Sequence, residues 1–430
     1  MIDFEKLASD GVRTLRAYDP GHDLVALRRD LAAGKLVELG SNENPYGASP
    51  RARQAIVDAL GSLHIYPDPL GGQLKRALAD FHGVATSRLL LGNGSHELLM
   101  QLAQVFAGPG DEVVASTFGF AVYALAVQAA GATFRPAPAL PRGHAMPHGH
   151  DLAELHAAIG PRTKLVYLAN PNNPTGTWFG ADAFAAFMAS VPAEVIVVVD
   201  EAYAEFVDAP DYASALPLLA AYPNLVVTRT FSKAYALAGV RVGFAVADPG
   251  LIALMERVRE SFNVNALGLA AAEAALADGA HLQESLASNA VQREILSAAL
   301  RARGLSVSPA QTNFLLVEFG ERASQVEAQL LARGVVLRPM AGYGLGEYLR
   351  ITVGTAAENE RLLAALDDVL TCRAGLAPLG RDDVLTCRAG LAPLELDDVL
   401  TCRAGLAPLE LSTDKQEQRG EPRSTEERGA

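Results

Sequence analysis

The chain has 430 residues, of which 50% are hydrophobic, three cysteines and a formal net charge of −13. That length exceeds one small core and suits two domains. The acidic balance argues against nucleic acid or an anionic membrane as the main partner. No apolar run reaches the roughly 20 residues of a membrane span. The opening MIDFEKLASDGVRTLRAYDPGHDL has no apolar secretory segment, so a reducing cytoplasm is the expected location.

Taken in chain order, the first 50 residues contain LVELGSNENPYGASP, which reads as a strand and a loop with no partner of its own. Next, β-branched runs alternate with Ala/Leu-rich helical stretches. DEVVAS precedes FAVYALAVQAAGA, KLVYLAN precedes ADAFAAFMASV, and EVIVVVD and NLVVTRTF follow. Near-continuous Val/Ile runs between helices predict a buried, mainly parallel sheet and an α/β class. Ligand sites in such sheets lie in the loops that end the strands. From NALGLAAAEAALADG onward the rhythm changes, and QTNFLLVEF, VVLRPM and YLRITVG predict a smaller α+β domain. The reading is a segment 1–50 packing with the small domain, a large domain 51–264, a small domain 265–370 and a tail 371–430.

The tail repeats DDVLTCRAGLAPL at 367–379, 382–394 and 397–409, and then runs into the polar STDKQEQRGEPRSTEERGA. Disorder is expected there. Cys372, Cys387 and Cys402 occur once per repeat without CxxC spacing, so no metal is assigned to them. HAMPHGHD holds His144, His148 and His150 in a Pro/Gly-rich setting, which reads as a solvated loop rather than a metal site.

The stretch RTFSKAYALAGVRVGF, residues 229–244, places Lys233 among apolar and small residues. A buried amine is costly unless paired, neutralised or used covalently; a lysine snorkelling from a loop is the plainer alternative. VIVVVDEAY puts Asp200 at the end of a buried strand, as either a reactive carboxylate or a helix N-cap. GNGSHELLMQLAQVF is a glycine loop running into an apolar-periodic helix, whose first N–H groups near Gly94, Ser95 and His96 suit an anion.

Together these stretches resemble the fold-type I pyridoxal-phosphate aminotransferases, and within them the histidinol-phosphate aminotransferase family. SNENPYG, YPDPLGGQLKRALA, LGNGSHELL, NPNNPTGT, VDEAYAEF, TFSKAYALAGVRVGF, RESFNVNALGLAA and YLRITVG occur in the family's order between about residues 10 and 370. The resemblance implies a large domain with a mainly parallel seven-stranded sheet flanked by helices, plus a smaller α+β domain. It implies pyridoxal 5'-phosphate carried on Lys233 as a Schiff base, with the same lysine as proton shuttle. Asp200 would meet the ring nitrogen. Asn173 and Tyr203 would meet the phenolic oxygen, and Phe118 would stack on the ring. Gly94, Ser95, His96, Ser232 and Arg241 would hold the phosphate; the family more often has an acidic or amide residue at position 96. Tyr66 would reach the phosphate of the neighbouring subunit in a homodimer. Arg350 would take the substrate carboxylate and Arg338 its distal anion, with Tyr18 and Asn44 also at the substrate. The implied reaction moves an amino group between histidinol phosphate and 2-oxoglutarate in histidine biosynthesis. An aromatic or broad-range aminotransferase and a pyridoxal-phosphate decarboxylase of phospho-amino acids are the alternatives.

Overall fold

A computed structural model describes residues 2–13, 15, 22, 27 and 36–371. Tyr18 and the repeated tail 372–430 lie outside the described residues. Among those described, no helix is long and apolar enough to cross a membrane.

The β-branched runs form one seven-stranded sheet. Across it the strands are Leu89–Gly92, Gly243–Val246, Leu225–Thr230, Ile196–Asp200, Thr163–Ala169, Glu112–Ser116 and Thr133–Ala137. Only Gly243–Val246 runs antiparallel to its neighbours; the other pairings are parallel. Apart from the edge strand Thr133–Ala137, which is largely exposed, both faces are buried, which explains why the strands read as continuous apolar runs rather than alternating ones. Val197, Val199 and Val227 enter one core. Val198 and Val226 enter the core on the opposite face. The helices Ser95–Phe106 and Ala121–Ala129 cover that second face. The first face is covered partly by helix Ala266–Leu276, packed on Pro50–Ala59 and Gly72–His82. Ser49 caps Pro50–Ala59 by accepting from the N–H groups of Arg51 and Ala52, with Pro50 at the first helical position.

The C-terminal part adds a four-stranded antiparallel sheet in the order Arg338–Pro339, Tyr348–Thr352, Phe314–Glu318, Ser306–Val307. Val37–Glu38 pairs in parallel with Val335–Val336, so the strand near the N-terminus completes structure near the C-terminus. The period of two divides the four-stranded sheet cleanly. Leu315, Val317, Leu349 and Ile351 join a separate core with the helices Ala323–Ala332 and Ala356–Thr371. Phe314, Leu316, Tyr348, Arg350 and Thr352 occupy the other face, in register with one another.

The 144–150 stretch is solvated at His144, as read from sequence, but not at its other end. His148 and His150 are buried, at 9% and 7% exposure. His148 Nε2 lies 3.1 Å from the Tyr348 hydroxyl, and Ala169 N donates to His150 Nε2 at 3.1 Å. A loop pressed between two sheets needs polar partners for its backbone and side chains, and histidine supplies them. Burial pulls the His150 ring down to about 4, keeping it neutral.

One charged cluster lies beneath the end of strand Ile196–Asp200. Arg229 Nε and Nη2 donate to Glu201 Oε2 at 3.0 and 2.6 Å, and Nη1 donates to Glu205 at 3.3 Å. The Glu201 side chain is 1% exposed and that of Arg229 is 12% exposed. Removing one partner of a buried pair leaves an uncompensated charge, which costs about 3–5 kcal/mol. Arg229→Met is therefore expected to lower the unfolding free energy of the protein by about that amount in a urea titration. A loss below ~1 kcal/mol would show that the cluster relaxes or hydrates freely.

Candidate active site

Four parallel strands deliver their C-terminal ends to one cavity of about 270 Å3. Strand Thr163–Ala169 leads to Pro171 and Asn173, Ile196–Asp200 ends in Asp200 and leads to Tyr203, and Leu225–Thr230 leads to Ser232 and Lys233. Strand Glu112–Ser116 leads to Phe120. The rule that α/β ligands sit outside the carboxyl ends of the strands accounts for the placement. Arg350 enters from the four-stranded sheet, and Ser41 and Asn42 from the N-terminal loop.

Lys233 lies in the cavity wall. Its Nζ donates to the carbonyls of Asn42 and Ser41, at 3.2 and 3.4 Å. Burial, then the nearby charge of Arg350, pulls the amine down to about 8. Asp200 is 5% exposed. Thr228 Oγ1 donates to its Oδ1 at 3.2 Å and the Tyr123 hydroxyl to its Oδ2 at 3.4 Å. Burial pushes the carboxyl up to about 6, against those hydrogen bonds, which favour the ionised form. A cationic partner beside it would restore full ionisation.

One end of the cavity carries groups that suit an anion. Gly94, at φ 81°, is the N-cap of helix Ser95–Phe106 and contributes no side-chain cap. The first N–H groups of a helix without such a cap are available to a ligand, and Ser95 and His96 line the cavity. A Cβ on Gly94 would stand 2.4 Å from Arg241 Nη2, so glycine lets the guanidinium close over this turn. Arg241 Nη1 donates to Ser232 Oγ at 3.2 Å. Burial, then Arg241, keeps the His96 ring pKa below its ordinary value; its contribution is the backbone donor.

Arg350 is fixed on two sides. Nη1 donates to Asn173 Oδ1 and Nη2 to Gly40 O, both at 2.7 Å, and the guanidinium lies 5.2 Å over the Phe314 ring. With its oxygen engaged, Asn173 offers its amide nitrogen to a ligand. Arg338 stands opposite Arg350 in antiparallel register, and directly paired residues project from the same face.

Of the described residues read from sequence, Phe118, Asn44, Tyr66, Gly94 and Arg338 are not among those that line this cavity. Phe118 does not line this cavity; Phe120 does. The turn closed by Gly119 N to Ser116 O sends Phe118 toward Leu316, Met340, Leu345 and Tyr348, while Phe120, the N-cap of helix Ala121–Ala129, faces inward. Asn44 is committed to the backbone: its Nδ2 donates to the carbonyls of Lys233 and Ala234 at 3.3 and 3.0 Å, and Asn42 takes the cavity position. Tyr66 is 78% exposed, stacks on Phe262 and lines a separate concavity of about 300 Å3 with Ile65, Gln73 and Glu273. That concavity lacks the buried amine and carboxylate, so the chemistry is placed in the Lys233 cavity. Tyr18 lies outside the described residues. Sequence reasoning also passed over Tyr123, Thr228 and Asn42.

The description "Aminotransferase class I and II" belongs to the family model that matches residues 34–366. A protein of Methylococcus capsulatus named histidinol-phosphate aminotransferase 2 is 46% identical over 364 residues, covering 85% of this chain and 98% of the relative. A protein of the same name from Pseudomonas aeruginosa is 46% identical over 372 residues, covering 86% and 99%. Among solved structures, the histidinol-phosphate aminotransferase of Sinorhizobium meliloti in complex with pyridoxal-5'-phosphate superposes with a TM-score of 0.76 at 32% identity, over 84% of this chain and 97% of that one. The chain belongs to the aminotransferase class I and II family, and within it to the histidinol-phosphate aminotransferases.

Proposed function

We propose that the protein moves an amino group between L-histidinol phosphate and 2-oxoglutarate, giving imidazole-acetol phosphate and L-glutamate in histidine biosynthesis, with pyridoxal 5'-phosphate as cofactor. One observation carries the reading: a single cavity joins the Lys233 amine, the buried Asp200 carboxylate and an end lined by Ser95, His96 and Arg241 beside the turn at Gly94. That donor set fits a phosphorylated pyridine aldehyde. Ser232, Arg241 and the first N–H groups of the helix would hold its phosphate, and Asp200 its ring nitrogen. Asn173 and Tyr203 would hold its phenolic oxygen, and Phe120 would cover the ring. Bound there, the cofactor supplies an aldehyde that carries the amino group and a ring that withdraws electrons.

The chain's own residues do the rest. Lys233 Nζ, neutral above about pH 8, takes the proton from the substrate's amine-bearing carbon, as a general base whose pKa lies near the working pH. Arg350, already oriented by Asn173 and Gly40, holds the carboxylate of the acidic substrate. Arg338 meets the distal anion, which is phosphate in one substrate and the γ-carboxylate in the other. An exposed apolar patch of Leu60, Leu63, Ile65, Tyr66 and Leu70 supports a homodimer in which Tyr66 serves the partner's site. A cytoplasmic location follows from this reading of the enzyme.

The test is a visible spectrum of the cofactor-loaded protein titrated with histidinol phosphate. The account requires the long-wavelength band to be replaced by a shorter-wavelength one without added keto acid. An unchanged spectrum at saturating substrate refutes it. A second outcome concerns specificity. Arg338→Leu should lower kcat/KM for histidinol phosphate and 2-oxoglutarate by roughly 10- to 150-fold, the contribution of a charged hydrogen bond, and spare substrates without a distal anion. Equal losses on every substrate would make Arg338 structural.

A further inference from the structure

Asn42 sits where three parts of the site meet. It is 1% exposed and holds φ at 56°, a left-handed conformation that asparagine tolerates better than most residues with a Cβ. Every polar group it has is engaged. Its N–H donates to Thr352 Oγ1 at 3.0 Å, and the Thr352 hydroxyl in turn donates to Oδ1 at 3.4 Å. Its carbonyl accepts from Lys233 Nζ at 3.2 Å and from Asn313 Nδ2 at 3.1 Å. Its Nδ2 donates to the Tyr203 hydroxyl at 2.9 Å.

The direction of the last bond decides what Tyr203 can do. Because Oδ1 takes the Thr352 hydroxyl, the amide is oriented with Nδ2 toward Tyr203. A phenol has one hydrogen, and its oxygen here is accepting. We propose that Asn42 is a positioning residue that occupies the acceptor side of the Tyr203 oxygen and so directs the Tyr203 O–H into the cavity as a donor. Through Thr352, two residues beyond Arg350 on the same strand face, it also ties that donor and the resting place of the Lys233 amine to the strand that carries Arg350. The inference rests on the reading that Tyr203 donates to the phenolic oxygen of the bound cofactor.

The test uses cofactor-loaded protein in four forms: wild type, Asn42→Gly, Tyr203→Phe and the double variant. Glycine keeps the positive φ and removes the amide. Two quantities are read: the pH midpoint of the visible absorbance and the single-turnover rate with histidinol phosphate. The charged and titratable groups facing Tyr203 are Arg350, Asp200, Lys233 and Tyr343, and all four are retained in every variant. A hydrogen bond to a deprotonated oxygen favours that form, so Tyr203→Phe should raise the midpoint by about one pH unit, tenfold in proton affinity. Asn42→Gly should move the midpoint the same way. The double variant should match Tyr203→Phe within about twofold on both readouts, because two residues acting through one hydroxyl are not additive.

Full additivity, or a wild-type midpoint in Asn42→Gly while Tyr203→Phe shifts, overturns the inference. If Tyr203→Phe itself moves neither readout, it is the cofactor contact of Tyr203 that fails. Should Asn42→Gly not load the cofactor, Asn42→Asp keeps the side-chain shape but accepts the Tyr203 O–H. Its midpoint should then rise at least as far as that of Tyr203→Phe, and an unmoved midpoint overturns the proposal.

Discussion

Lys233→Ala is expected to abolish turnover while leaving the far-UV circular dichroism of the protein unchanged. General acid–base transfer by a positioned side chain contributes typically 10²–10⁴-fold, and this residue is also the proposed covalent anchor. The structure explains how a lysine can serve as a base. Burial and the charge of Arg350 both disfavour the ammonium form, so the amine titrates near 8 rather than at its ordinary value of 10.5. The sign is testable without cofactor: labelling of Lys233 in the apoprotein by an amine-reactive reagent should rise through about pH 8. Alanine is small and the cavity already holds space, so the variant should fold. Residual kcat within about tenfold of wild type, ~1.4 kcal/mol in barrier, would remove Lys233 from the chemistry.

Asp200→Asn is expected to lower the single-turnover rate by about 10³-fold with a much smaller change in cofactor affinity. A unit charge pair at 4 Å contributes about 4 kcal/mol at an effective dielectric constant of 20, and that energy converts to roughly that factor in rate. The substitution keeps the volume and the acceptor for Thr228. What it removes is the negative charge that, in the proposed function, would hold a proton on the ring nitrogen and so make the ring an electron sink. The carboxylate is well placed to do this because Thr228 and Tyr123 fix both its oxygens inside a buried layer. A rate loss below tenfold would mean that Asp200 does not meet the ring nitrogen.

Residues at the ends of buried strands were legible in the sequence. Asp200 and Lys233 stand out because IVVVD and LVVTRTF are apolar runs that end in polar groups, and a polar group at such an end is either a cap or a ligand contact. The uncapped helix start beside the cavity was legible because Gly94 precedes an apolar-periodic helix. The residues that fall outside the cavity share a different cause. Phe118 and Phe120 are separated only by Gly119, and which ring faces inward depends on a turn direction that composition does not encode. Asn42 and Asn44 lie two apart in SNEN, and the positive φ of Asn42 leaves no mark in the residue types. Tyr123 belongs to an apolar helix face, so its hydroxyl is invisible to a pattern count. The burial of His148 and His150 comes from the docking of two sheets onto a Pro/Gly-rich loop, a long-range event with no local signal.

The measurement that bears most directly on the central claim is a kinetic comparison on the purified full-length protein, with 2-oxoglutarate as acceptor and glutamate formation followed. The account predicts a kcat/KM for L-histidinol phosphate that exceeds the values for phenylalanine and tyrosine by at least about tenfold, ~1.4 kcal/mol in transition-state binding. A higher kcat/KM for phenylalanine or tyrosine, or release of carbon dioxide without any dependence on keto acid, would contradict it.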